Sequence, residues 1–87
     1  MLVEQLGNKQ FKVFLKNGVA FQSYSTLIAI ELNDGSIYVS DKWDYSITTL
    51  KYFKLFLGIS HTKKEIQKMI DDGIYYLVDE ETLVSML

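Results

Sequence analysis

The side chains able to do chemistry are few and scattered. The single histidine, His61, stands between Ser60 and Thr62, with no Cys, no second His and no spaced carboxylate pair beside it. A metal site or a Ser-His-Asp arrangement would need partners folding in from afar, and the spacing points to none, so His61 reads as a residue of a loop leading into a helix. Asp41 and Asp44 flank Trp43 and suggest an acid–base pair, yet at a strand-to-helix junction carboxylates three apart serve equally as caps. The glycines are isolated and form no phosphate-cradling loop. Without Cys there is no disulfide, thiol chemistry or Cys-based zinc site. No catalytic residue, metal ligand or cofactor is assigned, and an enzyme is the least expected class.

Binding chemistry is better represented. The stretch KWDYSITTLKYFKLFLG, residues 42–58, holds the only Trp, and Tyr24, Tyr38, Tyr45, Tyr52, Tyr75 and Tyr76 add many amphipathic rings for a small chain. Tyr and Trp anchor interfaces because they bury large area with few rotors and keep a polar tip. Trp43, Tyr45, Thr48, Thr49 and Tyr52 are therefore candidates for a partner-binding surface. The competing structural reading has Trp43 and Tyr45 closing the end of a sheet against a helix, with Ser46 and Asp44 capping that helix. A second candidate group is acidic: Asp71, Asp72, Asp79, Glu80 and Glu81 fall within eleven positions.

These residues must be positioned by a small α+β fold. QFKVFLK and VAFQSY flank Asn17-Gly18, the dipeptide suited to a type I′ hairpin turn, which sets Phe14 against Phe21 and Lys16 against Val19. Both faces of that hairpin are partly apolar. TLIAIEL and SIYVS flank Asp34-Gly35. A two-residue turn there puts Ile28, Ile30, Leu32, Ile37 and Val39 on one buried face and leaves the other wet. The period then changes. Ser46 is placed as an N-cap, Leu50, Phe53 and Leu57 recur at helical spacing with Ile47 and Phe56 widening the stripe, and Gly58 is placed to end the helix. Thr62-Lys63-Lys64-Glu65 reads as a capping box opening a second helix that ends at Gly73. Residues 74–78 read as a last strand or an extended docking segment, and Asp79 as the cap of a final turn. The expected architecture is a four-stranded antiparallel meander with one main helix packed on it and a short helical and extended C-terminal part. All 87 residues are expected to form one small domain.

The totals exclude further classes. At 48% hydrophobic the chain is too apolar to be disordered. The N-terminus lacks the pattern of a signal peptide, and no apolar run approaches the ~20 residues of a membrane span. All nine basic residues are Lys and the net charge is −2. Arg is the usual bidentate reader of phosphate and guanine, so nucleic acid is not the expected partner.

VAFQSYSTLIAI, the 42–58 stretch and TKKEIQKMIDDGIYYLVD together resemble a family of small uncharacterised proteins carried by phages, prophages and conjugative elements of low-GC Gram-positive bacteria. The matching positions are Phe21, Gln22, Ser23, Tyr24, Ile28, Ala29, Trp43, Asp44, Tyr45, Ser46, Thr48, Thr49, Lys51, Tyr52, Phe56, Leu57, Gly58 and Gly73. Residues 50–54 depart from the pattern, which has Gly and Arg at some of these positions. The resemblance implies a mobile-element origin and a host-cytoplasmic setting, and it implies no activity. Combined with the composition, it gives the expectation of a non-catalytic protein that binds a host protein. The concrete candidate is an inhibitor of a defence nuclease, anti-CRISPR or anti-restriction in type, with carboxylates occupying a basic channel. One alternative is a single-stranded nucleic-acid accessory protein stacking bases on Tyr24, Trp43 and Tyr52 beside Lys51 and Lys54. Another is a self-assembling module, with a homodimer formed through a strand edge or the apolar C-terminus.

Overall fold

A computed structural model describes residues 2–87. Its elements run β1 (Leu2–Gly7), β2 (Gln10–Phe14), β3 (Gly18–Ser23), β4 (Thr26–Leu32), β5 (Ile37–Ser40), α1 (Ile47–Leu57), α2 (Lys63–Asp71), β6 (Tyr76–Val78) and α3 (Glu80–Ser85). The strands form one six-stranded sheet in the order of the chain. The expected meander is β2 to β5. To it the structure adds β1, antiparallel to β2, and the three-residue β6, parallel to β5. The fold is α+β, with three helices rather than one main helix and a short tail.

Both hairpins differ in register from the sequence reading, for separate reasons. In the first, the Leu15 N–H donates to the Gly18 carbonyl at 2.8 Å, so Lys16 and Asn17 make the turn, and Phe14 lies opposite Val19. Gly18 belongs to the strand and has no positive φ. Its role is close approach: a Cβ there would strike the Glu31 carbonyl and lie 2.9 Å from the Leu32 Cα. In the second hairpin Leu32 bonds across to Ser36 at 2.8 Å, which encloses three residues ending in Gly35 at φ 91. A three-residue loop of this kind uses a left-handed glycine in its last position. Ile30 therefore pairs with Tyr38, and Ala29 with Val39. A slip of one residue turns every side chain of a strand to the other face.

A β-bulge compounds the change. Phe21 pairs with Ala29 but Gln22 with Leu27, so Ile28 is the extra residue. Ile28 and Ala29 face one side with Phe21 and Val39, where Phe53 and Phe56 of α1 and Ile66 of α2 cover them. Leu27 and Ile30 face the other side with Ala20, under Leu83 of α3. The expected wet face of the sheet is thus a second, smaller core.

The helices end where local chemistry dictates. Ser46 Oγ accepts from the Thr49 N–H, Gly58 closes α1 at φ 70, and Thr62 and Glu65 exchange both bonds of a capping box. Gly73, at φ 78, follows α2, and the Asp79 carboxylate caps α3. Ile47 does not widen the buried stripe of α1. Thr49, Phe53 and Phe56 face the sheet, and Ile47, roughly 200° around from Thr49 at about 100° per residue, is 90% exposed. Among the described residues no helix is long and apolar enough to cross a membrane.

The two glycines with different roles should respond differently to alanine. Gly18→Ala forces a Cβ into β4 backbone and should cost ~3 kcal/mol in urea unfolding. Gly35→Ala meets open space and should cost about 1 kcal/mol for its left-handed φ alone.

Candidate functional site

The site begins with Trp43. Two tight turns follow β5, with the Trp43 N–H donating to the Ser40 carbonyl at 3.2 Å and the Tyr45 N–H to the Lys42 carbonyl at 3.0 Å. They drive the indole inward, where it is 3% exposed and tilts against Phe53 with ring centroids 6.0 Å apart. Its neighbours point outward. Tyr45 is 73% exposed and the Lys42 ammonium lies 5.9 Å from its ring centroid. Trp43 is therefore part of the core, as the structural reading held, whereas Tyr45, which that reading also set against the helix, faces outward. Asp44 does not cap α1 but pairs with Lys63 at 3.4 Å, leaving Ser46 as the cap.

The β3–β4 turn supplies the opposing wall. Tyr24 adopts φ 56, a left-handed conformation that costs an L side chain about 1–2 kcal/mol. Two hydrogen bonds hold it there: its N–H donates to the Lys9 carbonyl at 2.7 Å, and its carbonyl accepts from Gln22 Nε2 at 2.8 Å. The ring remains half in water.

Between these walls lies a cleft of about 640 Å³, within the size range of ligand pockets. Its inner surface is built of hydroxyls. Ser46 Oγ donates to Thr49 Oγ1 at 3.1 Å, and Thr49 Oγ1 shares a 3.0 Å bond with Ser23 Oγ across from α1 to the sheet. Ser23 and Thr49 are buried. Ser25, Thr26 and Thr48 add hydroxyls nearer the mouth, Lys42 a cation and Glu80 a carboxylate. Glu80 reaches the cleft from α3, its Oε2 accepting from the Leu27 N–H at 3.2 Å beside the bulge. This set of groups can stack and hydrogen-bond. Among the described residues neither His nor Cys lines the cleft, and no group of His, Cys, Asp or Glu is clustered to hold a metal.

Four of the anticipated residues meet at this cleft: Tyr45, Thr48, Thr49 and Glu80. Thr49 serves as a buried polar link rather than a contact. Tyr52 lies elsewhere, its hydroxyl filling the space above Gly7 of β1 with Lys51 beside its ring. The acidic group is dispersed and largely engaged. Asp71 accepts from Gln67 at 3.0 Å, Asp72 pairs with Lys68 at 2.9 Å, and Asp79 caps α3 by accepting from the Thr82 N–H at 2.7 Å. The Thr82 hydroxyl first, and then this N–H, hold the Asp79 carboxyl below its usual pKa. Glu81 is exposed on α3. Tyr24, Trp43 and Tyr52 do not form one stacking platform, since the indole between them is inside the fold. Ser23, Ser25, Thr26, Lys42 and Ser46 were not anticipated as site residues. They are common polar residues whose convergence depends on long-range packing; only the N-cap pattern at Ser46 and the family-pattern matches at Ser23 and Ser46 marked any of them.

An α+β sheet with a hydroxyl-lined cleft beside its main helix is thus the kind of protein this is. The chain belongs to the family of unknown function DUF8033, whose model matches residues 1–73. No curated protein and no solved structure matches it.

Three measurements check this geometry. Trp43 fluorescence should be blue-shifted and resist acrylamide until the chain unfolds; a red-shifted, quenchable signal would contradict the burial. Thr49→Val, which leaves the Ser23 hydroxyl without its partner, should cost about 1–3 kcal/mol. Gln10→Met should be neutral or stabilising, because Gln10 is wholly buried and neither of its amide atoms has a hydrogen-bond partner among the described residues.

Proposed function

We propose that this chain is a non-catalytic binding module of a phage or conjugative element, and that it engages a host protein at the rim of the cleft. The observation that carries the reading is the rim itself. Tyr45 stands 73% exposed on one wall, Ile47, 90% exposed, follows it in the chain just outside the cleft lining, and Tyr24 stands on the opposing wall in a backbone conformation it disfavours. Exposed aromatic and aliphatic groups around a concave site are the usual anchors of protein interfaces. Strain retained at an exposed residue is also a mark of functional sites. The mobile-element setting and a host-cytoplasmic location are part of this proposal and are what the Trp-Asp-Tyr-Ser-x-Thr-Thr resemblance implies.

Within this reading the target is a host defence nuclease. The cleft rim supplies the apolar anchor, and exposed Asp71, Asp72 and Glu81 supply carboxylates that a basic nucleic-acid channel attracts. Self-assembly is the second reading, favoured by the outer edge strand β1, where Leu2 and Val3 are exposed.

The test is capture from a lysate of a low-GC Gram-positive bacterium at low salt, with the mass of the free chain measured alongside. The double variant Tyr45→Ala/Ile47→Asp should lose the captured protein, weakening binding at least ~10-fold. Its unfolding midpoint should stay near that of the parent, since both side chains are outside the cores. Capture unaffected by the double variant but lost with Asp71→Asn/Asp72→Asn would move the interface to the end of α2. No capture together with a concentration-dependent mass would favour self-assembly.

A further inference from the structure

Taking a carboxylate out of water is costly unless something compensates its charge. Among the described residues only Asp44 and Glu80 are half-buried carboxylates, and the rest are exposed. Asp44 has its cation, the Lys63 ammonium at 3.4 Å. Among the described residues no ion pair includes Glu80. What Glu80 has is a fixed position. Its Oε2 accepts from the Leu27 N–H at 3.2 Å, which holds the carboxylate on the cleft wall beside the bulge.

The rest of the cleft suits a cation. Tyr24 and Tyr45 line it with exposed rings, and the face of a Tyr ring attracts positive charge. The Lys42 ammonium, 5.9 Å from the Tyr45 centroid, already takes up such a position. Lys42 is exposed and makes no ion pair among the described residues, so it can turn to water as a stronger guest enters. Ser25, Thr26 and Thr48 add hydroxyl oxygens that accept hydrogen bonds. Asp79 and Glu81 flank Glu80 in the chain, whereas Lys42 is the sole cation of the described lining. An anionic guest would meet one exposed ammonium and a fixed carboxylate. A cationic guest meets the better-held group.

We infer that the cleft receives an arginine side chain of the partner protein, its guanidinium on Glu80 and against the rings of Tyr24 and Tyr45. A planar guanidinium stacks on an aromatic face while its fork of donors reaches a carboxylate and hydroxyls together. A lysine ammonium is a more strongly hydrated point charge and stacks poorly. The cleft, at about 640 Å³, also admits the backbone on either side of the arginine. All nine basic residues of this chain are Lys, so a second copy of it offers no such guest. The inference rests on the reading that the cleft rim meets a host protein, and it names the group that enters. Arginine is a usual residue by which nucleic-acid-binding surfaces hold phosphate, so the guest suits the nuclease target of that reading.

The test titrates the nitrogen-15-labelled full chain with blocked Gly-Xaa-Gly peptides, in which Xaa is Arg, Lys or citrulline, and follows the amide shifts. The Arg peptide should shift Tyr24, Tyr45, Thr48 and Glu80 saturably at millimolar concentration. Citrulline keeps the shape and loses the charge, so its peptide should bind about tenfold more weakly, with Lys between the two. Glu80→Gln should weaken the Arg peptide about tenfold and leave the unfolding midpoint near that of the parent, since the Gln oxygen can still accept from the Leu27 N–H. Lys42→Gln should strengthen it about twofold. The citrulline comparison needs no variant. No saturable shift from the Arg peptide, equal binding of the citrulline peptide, or indifference to Glu80→Gln each overturns the inference. So does the opposite pattern, in which inorganic phosphate shifts the same amides and Lys42→Gln abolishes the effect. The host-protein reading fails separately. Arginine binding that Glu80→Gln removes supports the inference whether or not a lysate yields a captured protein. Capture lost with Tyr45→Ala/Ile47→Asp but kept with Glu80→Gln strikes the arginine guest alone.

Discussion

The structure depends on four consecutive buried residues, Leu27, Ile28, Ala29 and Ile30. A strand with one wet face cannot bury four in a row, since its side chains alternate. The bulge at Ile28 and the coverage of both faces resolve this, sending Ile28 and Ala29 to one side and Leu27 and Ile30 to the other. Every other arrangement follows. The larger core takes α1 and α2, and fully burying Phe21, Phe53 and Ile66 there contributes about 1.5–3 kcal/mol each. The smaller core needs a further cover, and α3 supplies it. Gly18 lets β3 and β4 approach closely at the far end, and Asn33 ties the two hairpin tips together by donating to the Asn17 and Lys16 carbonyls.

The cleft is a by-product of closing the larger core. Burying Trp43 requires the tight turns after β5, and those turns put Lys42 and Tyr45 on the outside. Starting α1 requires a cap, and Ser46 meets it with a hydroxyl that also bonds Thr49. Docking α1 on β3 brings Thr49 against Ser23, where each polar atom satisfies the other. A hydroxyl-lined floor therefore arises from helix capping and from pairing buried polar groups. None of this explains Tyr24. A Gly or Asn would take its φ of 56 more readily, and its ring adds little to either core.

Local chemistry was legible in the sequence and long-range geometry was not. Ser46, Gly58, Thr62 with Glu65, Gly73 and Asp79 were all readable because a cap is decided by residues within one turn. The hairpins misled because Asn17-Gly18 and Asp34-Gly35 fit two-residue turns on local grounds. Tertiary contact claims Gly18 for the strand, and Gly35 closes a three-residue loop instead. That single residue of loop length inverted β5 and hid the second core. LVEQLG carries too weak an alternation to mark β1 as a strand, and its pairing with β2 depends on the sheet already being formed. Of the residues singled out, Tyr45, Thr48, Thr49 and Glu80 meet at the cleft and Trp43 lies in the core. Aromatic identity says that a ring is useful, and only packing says which way it faces.

Exposure of apolar groups needs one further distinction. A chain this small buries only about 60–65% of its unfolded surface, so some large side chains must remain in water. Leu55 and Val84 fit that account: each lies on the outer side of a helix whose inner side is already packed. Ile47, on the outer side of α1, fits it too. Tyr45 does not: it stands on the cleft wall in the tight turn before a helix start fixed by Ser46 and Thr49, so its backbone is held in place before any partner arrives. A rigid exposed anchor loses little entropy on binding, whereas a mobile one must first be ordered. It is this combination, an outward-facing ring on a capped and core-anchored junction, that sets the cleft rim apart from the rest of the apolar surface.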